Sequence, residues 1–259
     1  MMMTTTAGAP RRSMAAGSRR LLTTARRARL PLLAMLVMLA AGAGTLWAQS
    51  SAVPKVLATT PWTAAFARVA GAEEVDLLAP YEMRHPPEYE LRPTDLARIE
   101  AADLVVYAGY ERMMERLQRA LGEANVSAVQ ITTVHTMATI EESVTKIAEA
   151  LGTEEAARRN LAGIRSFFES WQEELETLGL DRSPVHVHRF QAELMGSLGV
   201  NVAGTFGPGP LEAQQIARLS GSDAVLIVDN WHNQVAGPLT ETMPGVPLVS
   251  FVNFPGPAG

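Results

Sequence analysis

The residues most able to do chemistry are five histidines, His85, His135, His186, His188 and His232, in a chain of 259 residues that has no cysteine. Each falls at or just beyond the C-terminal end of a short apolar run. Neutral imidazole is the commonest zinc ligand, and three imidazoles with a carboxylate or water suit a tetrahedral site. His186 and His188 alternate along one run, so on a strand they share a face. Asp229-Asn230-Trp231-His232 places a carboxylate beside an imidazole. Taken singly, a loop histidine is a solvated polar residue, and one of the His186/His188 pair reads equally as buried and hydrogen-bonded. Their joint placement is what points to a metal.

Other chemistry is excluded or weak. Without cysteine there are no disulfides, thiolate metal sites, thiol nucleophiles or lipid-modified N-terminal cysteine. No Ser-His-Asp order, nucleophile elbow or paired-carboxylate arrangement stands out. Gly207-Pro208-Gly209-Pro210 precedes a helical pattern as a phosphate-cradling loop would. Its prolines lack the N–H donors such a loop needs, so it reads as a stiff turn.

The elements that must position the histidines alternate between short apolar runs and helical patterns, as parallel βα units do. Strands are expected over 55–59, 74–79, 103–108 and 128–134, with helices over 61–69, 93–101 and 111–121. His85 sits in a polar loop over 81–91, and His135 follows the fourth strand. The segment 139–178 is helical in pattern and broken at Gly152-Thr153. Its second part, 153–179, carries Leu161, Ile164, Phe167, Phe168, Trp171 and Leu175 at spacings of three and four, read as one stripe packed against both lobes. A second set of units follows: strands over 184–188, 201–205, 223–228 and 247–252, and helices over 190–198, 210–220 and 236–243. A last strand with no covering helix after it suggests a missing C-terminus or an unusual ending. The expected fold class is α/β: two βα lobes with parallel sheets, joined by a long rigid connecting helix. In such open sheets ligands bind at the C-terminal edge of the strands, which puts the histidines in the cleft between the lobes.

Hydrophobic residues make up 47% of the chain, enough for a proper core, and the charge is unevenly placed. Residues 1–48 hold seven arginines and no acid, whereas the rest holds 15 Lys+Arg against 27 Asp+Glu, a net charge of −12. So acidic a body is a poor match for nucleic acid, which needs a basic face, but it does not repel a cation. The basic start, the apolar run over 30–48 and the small Ala48 before Gln49-Ser50-Ser51 describe a secretory signal peptide. Ser18-Arg19-Arg20-Leu21-Leu22 loosely matches a twin-arginine signal, with the export route left open. The organisation expected is a signal peptide over 1–48, an N-terminal lobe over 49–136, a connecting segment over 137–180 and a C-terminal lobe over 181–259.

Several stretches resemble the zinc- and manganese-binding solute-binding proteins of metal ABC transporters (the cluster A-I family, which includes cell-adhesion-like lipoproteins). His85-Pro86-Pro87-Glu88-Tyr89-Glu90-Leu91-Arg92-Pro93-Thr94-Asp95 is similar to that family's first-ligand loop, and the run 101–109 to the strand after it. His135 matches the second ligand, His188 the third, and the long helix the connector between lobes. The resemblance runs over about 55–255 and implies a periplasmic, non-enzymatic, monomeric protein. It would capture Zn2+, with Mn2+ second, and deliver it to a membrane ABC permease. The metal ligands it implies are drawn from His85, His135, His188, His232 and Asp229. The chain departs from the family pattern in three places. Pro87 occupies the slot directly before the acidic-Tyr pair, Asn253 stands where a late acid is usual, and a histidine-rich loop is missing. Two other readings remain open: a metal-dependent hydrolase built on the His186-x-His188 pair, and a binder of chelated iron or cobalamin on a similar bilobal fold.

Overall fold

The computed structural model describes residues 53–256. The signal peptide expected over 1–48 lies outside the described residues. Eight strands form two separate four-stranded sheets, each parallel throughout. The first holds β1 (Lys55–Ala58), β2 (Glu74–Leu77), β3 (Leu104–Tyr107) and β4 (Ser127–Gln130), in the order β2-β1-β3-β4. The second holds β5 (Val185–His188), β6 (Val202–Phe206), β7 (Leu226–Asn230) and β8 (Leu248–Phe251), in the order β6-β5-β7-β8. The two lobes thus share one topology, although no sequence repeat relates them. In each, the strand order reverses beside the first strand, which opens a crevice at the strands' C-terminal ends.

Local sequence explains the helices. α1 (Pro61–Val69) starts behind Thr60, whose hydroxyl accepts from the Thr63 amide, with Pro61 at the first helical position. α2 (Pro93–Glu100) repeats the pattern with Pro93, and Asp95 accepts from the Arg92 amide at 2.8 Å. α3 (Met114–Ala124) starts three residues later than its amphipathic pattern suggests. The cause is Glu111, whose buried carboxylate accepts from the Ala108 and Gly109 amides and the Thr59 hydroxyl, holding the preceding residues in a turn. α4 (Met137–Leu151) is capped by Thr136 and ends at Gly152, which takes the left-handed conformation at φ +70°.

α5 (Glu154–Thr177) then runs 24 residues, about 36 Å at 1.5 Å per residue. Its inner face, Leu161, Phe168 and Leu175, joins one continuous core with Val56, Leu104 and Val106 of the first sheet and Val185, Val187 and Val228 of the second. Burial of a side chain such as Phe168 stabilises the fold by roughly 1.5–3 kcal/mol, so this shared core fastens both sheets to one helix. The stripe read from sequence is too wide: Phe167 is 57% exposed and Trp171 40%. They stack edge-to-face on each other at 6.1 Å, on the outer side of the helix. The remaining helices, α6 (Ala192–Ser197), α7 (Ala213–Ser220) and α8 (Gly237–Thr242), are short and belong to the second lobe.

Candidate metal-binding cleft

A cleft of about 1130 Å³ opens between the two sheets' C-terminal edges. His85 and His135 line it from the first lobe, and His232, Asn230, Asn233 and Arg189 from the second. Trp62, Tyr110, Phe190 and Phe254 add aromatic surface. Three of the five histidines, far apart in sequence, therefore share one cavity. Among the described residues no three or more His, Cys, Asp or Glu side chains are gathered tightly enough to hold an ion by themselves.

His85 is carried by the loop between β2 and α2. The loop is held by the Tyr89 hydroxyl donating to Asp95 at 2.8 Å, by the Glu88 amide donating to the His85 carbonyl at 2.9 Å and by the Arg112 amide donating to the Pro87 carbonyl at 2.8 Å. The Tyr and Asp of the His85–Asp95 stretch thus have a structural task, fastening the histidine loop to the start of α2. Across the cleft, Arg84 of this loop sits 6.0 Å above the Trp231 ring, beside His232.

His135 follows β4. Its ring lies 3.8 Å, centroid to centroid, from the Trp62 indole, and its Nε2 is buried with no hydrogen-bond partner. Burial lowers its pKa from the usual 6.5 to about 4, because desolvation penalises the charged ring. At neutral pH His135 is therefore an uncharged imidazole, the form that binds metal.

The second lobe treats its histidines differently. His232 is buried, and its Nδ1 accepts the Asn253 amide at 3.0 Å. Its pKa is lowered, by burial first and then by the nearby His85 and Arg84. His188 is fully buried at the end of β5. Its Nδ1 accepts the Phe190 amide at 3.2 Å, and its Nε2 faces Asn233 Oδ1 at 3.0 Å. Desolvation lowers its pKa as well. Gly207 lies directly against this ring: a Cβ there would come within 2.5 Å of His188 Nε2. Both ring nitrogens of His188 are thus engaged within the lobe.

Asp229 is buried, and its carboxylate accepts from the Asn230, Val235 and Ala236 amides at 2.8–3.2 Å. It organises the turn that presents His232. His186 shares the face of His188 but packs on Gly204, with Nε2 bound to the Leu219 carbonyl at 2.9 Å and to Ser222 Oγ at 2.7 Å. The His186-x-His188 pair thus lies inside the second lobe, and neither ring lines the cleft.

Two site residues carry little signal in the sequence. Trp62 donates its indole N–H to the Asn253 carbonyl at 2.6 Å, a bond from one lobe to the other. Asn253 also accepts from Gln191 at 3.2 Å. It stands at the junction of both lobes with His232 and lines the cleft. A tryptophan near a helix start and an asparagine after a strand are ordinary in type, so only their meeting in space marks them.

Residues 56–179 match the family described as "Zinc-uptake complex component A periplasmic". No curated protein matches the chain. Among solved structures, the fold is similar to the Zn(II)-bound ZnuA-like domain of Streptococcus pneumoniae AdcA, with TM-score 0.56 and 17% identity over 78% of this chain and 90% of that one. It is similar to Pseudomonas aeruginosa FpvC in complex with Mn2+, with TM-score 0.58 and 18% identity over 80% and 92% of the two chains. Streptococcus pneumoniae AdcAII gives TM-score 0.57 and 16% identity over 80% and 92%. In sequence over residues 56–179 and in fold over both lobes, this chain is similar to the zinc- and manganese-type solute-binding proteins of metal ABC transporters.

Proposed function

We propose that this protein binds a divalent metal ion, Zn2+ in the first place, in the cleft between its lobes and delivers it to a membrane ABC permease outside the cytoplasm. The ion is cargo, and no reaction is performed on it. The observation that carries this reading is the convergence of His85, His135 and His232, from three distant loops, on one cavity.

Of the expected ligand set, His85 and His135 are the direct donors. His135 supports this best, since it is uncharged at neutral pH and has a buried Nε2 without a partner. His232 shares the cavity, while His188 and Asp229 lie behind it and hold its wall in shape. Nitrogen donors favour Zn2+ over Mn2+, which prefers oxygen-rich sites. The solved relatives are described with Zn(II), Mn2+ and Ni2+, which supports a divalent ion in general. The net negative body steers cations to the cleft in a salt-dependent manner.

Calorimetric titration of metal-free protein tests the reading. One Zn2+ should bind per chain, and His85→Ala or His135→Ala should each weaken it at least ten-fold. Binding that survives both substitutions together would remove the cleft as the metal site.

A further inference from the structure

The second lobe's wall of the cleft offers donors where a metal needs lone pairs. A neutral imidazole has one lone-pair nitrogen and one N–H. In His232 the lone pair is on Nδ1, where it receives the Asn253 amide at 3.0 Å, so Nε2 carries the proton. His188 is fixed in the same tautomer by the Phe190 amide. Asn230, fully buried in the cleft wall, uses its Oδ1 to accept the His232 amide at 2.8 Å and the Asn233 amide at 3.2 Å. Those two bonds fix the orientation of the amide, and its Nδ2 is left buried without an acceptor. Arg189 lines the same wall and adds a guanidinium. The one buried carboxylate of this region, Asp229, is turned onto backbone amides.

A buried donor without an acceptor is costly, and a ligand oxygen placed against it removes that cost. N–H donors and a guanidinium together recognise anionic oxygen, above all carboxylate. The opposite wall is of the other kind: His85 and His135 both line it, and His135 Nε2 has no hydrogen-bond partner. The cavity, about 1130 Å³ and walled by Trp62, Tyr110, Phe190 and Phe254, is the size of a small-molecule site and far larger than an ion.

We propose that the cleft takes its divalent metal as a complex with a small carboxylate chelator. His85 and His135 replace water on the metal, while His232 Nε2–H, Asn230 Nδ2 and Arg189 hold the chelator's carboxylates. This rests on the reading of the cleft as a metal site and names the form in which the metal arrives.

The test titrates the metal-free protein with Zn2+ alone, with citrate alone and with preformed Zn2+–citrate, by calorimetry and native mass spectrometry. The expected results are a complex of one protein, one Zn2+ and one citrate, and binding of Zn2+–citrate at least ten-fold tighter than of Zn2+ alone. Arg189→Ala, a change at an exposed residue, should reduce that ratio at least ten-fold, as should Asn230→Ala in protein whose circular dichroism is unaltered. If citrate only strips Zn2+ from the protein, the chelate proposal falls and the metal site stands. If neither Zn2+ nor Zn2+–citrate binds, the metal reading falls with it.

Discussion

The Trp62 indole covers the His135 imidazole at 3.8 Å while its N–H reaches the Asn253 carbonyl at 2.6 Å in the other lobe. One side chain thereby sets the environment of the most deeply perturbed histidine and ties the two lobes together beside the cleft.

Trp62→Phe keeps an aromatic ring over His135 and removes the inter-lobe hydrogen bond. It should cost about 1 kcal/mol of stability, the usual worth of such a bond. Trp62→Ala removes both and should cost about 3–5 kcal/mol. It also opens His135 to water, so the histidine's pKa should rise toward 6.5. Denaturant unfolding and a histidine NMR titration read the two effects. An unmoved His135 pKa in Trp62→Ala would show that burial there has another source.

His135 should make stability depend on pH in a defined window. Its folded pKa, about 4, lies below the ordinary 6.5, so between these values the unfolded chain takes up a proton that the folded chain refuses. This contribution is fully present above about pH 6.5 and is lost as the pH falls toward 4. His188 and His232, also lowered by burial, act in the same direction. Replacing His135 with Gln should flatten the decline seen in unfolding midpoints between pH 6.5 and 4. An equally steep decline in the variant would assign the effect elsewhere.

Asp229→Asn tests whether this carboxylate serves the fold or the ion. The side chain gathers the Asn230, Val235 and Ala236 amides. Loss of its charge should therefore cost roughly 1–3 kcal/mol of stability. Zn2+ affinity of the folded variant should change less than ten-fold. Affinity falling a hundred-fold with the melting temperature unchanged would instead make Asp229 a direct ligand.

Gly207→Ala should destabilise the second lobe by about 2 kcal/mol or more. The backbone there has φ +74°, and the added Cβ would meet His188 Nε2 at 2.5 Å. Thermal unfolding measures it. A neutral result would mean that the His188 ring can move aside, and so is free to reach the cleft.

Phe167→Ser on the outer face of α5 should change stability by no more than about 0.5 kcal/mol, as surface substitutions usually do. Phe168→Ser, one position along, removes a residue only 8% exposed and should be severely destabilising. The contrast in urea midpoints checks which face of the connecting helix is core.

Local pattern was enough to read the alternation of strands and helices and the break at Gly152, whereas His186 falls inside β5 rather than at its C-terminal end. Hydrophobic periodicity and capping are short-range properties that one strand or helix expresses by itself. The misreadings have equally physical causes. α3 begins late because Glu111 turns its side chain back onto the Ala108 and Gly109 amides. Phe167 and Trp171 fit the stripe by spacing, yet a helix shows its neighbours only part of its circumference, and these two fall outside it.

The sequence by itself determined two parallel βα lobes, the connecting helix and a set of histidines delivered to the sheet edges, because periodicity along the chain dictates which residues can share a face. Tertiary structure alone decided which imidazoles keep a nitrogen available. His188 and His232 lose theirs to amides of Phe190 and Asn253, whereas Nε2 of His135, beneath Trp62, and Nδ1 of His186, inside the second lobe, have no partner. The physical reason is that a ring nitrogen's role depends on the single partner that reaches it in space, and no spacing along the chain encodes that partner.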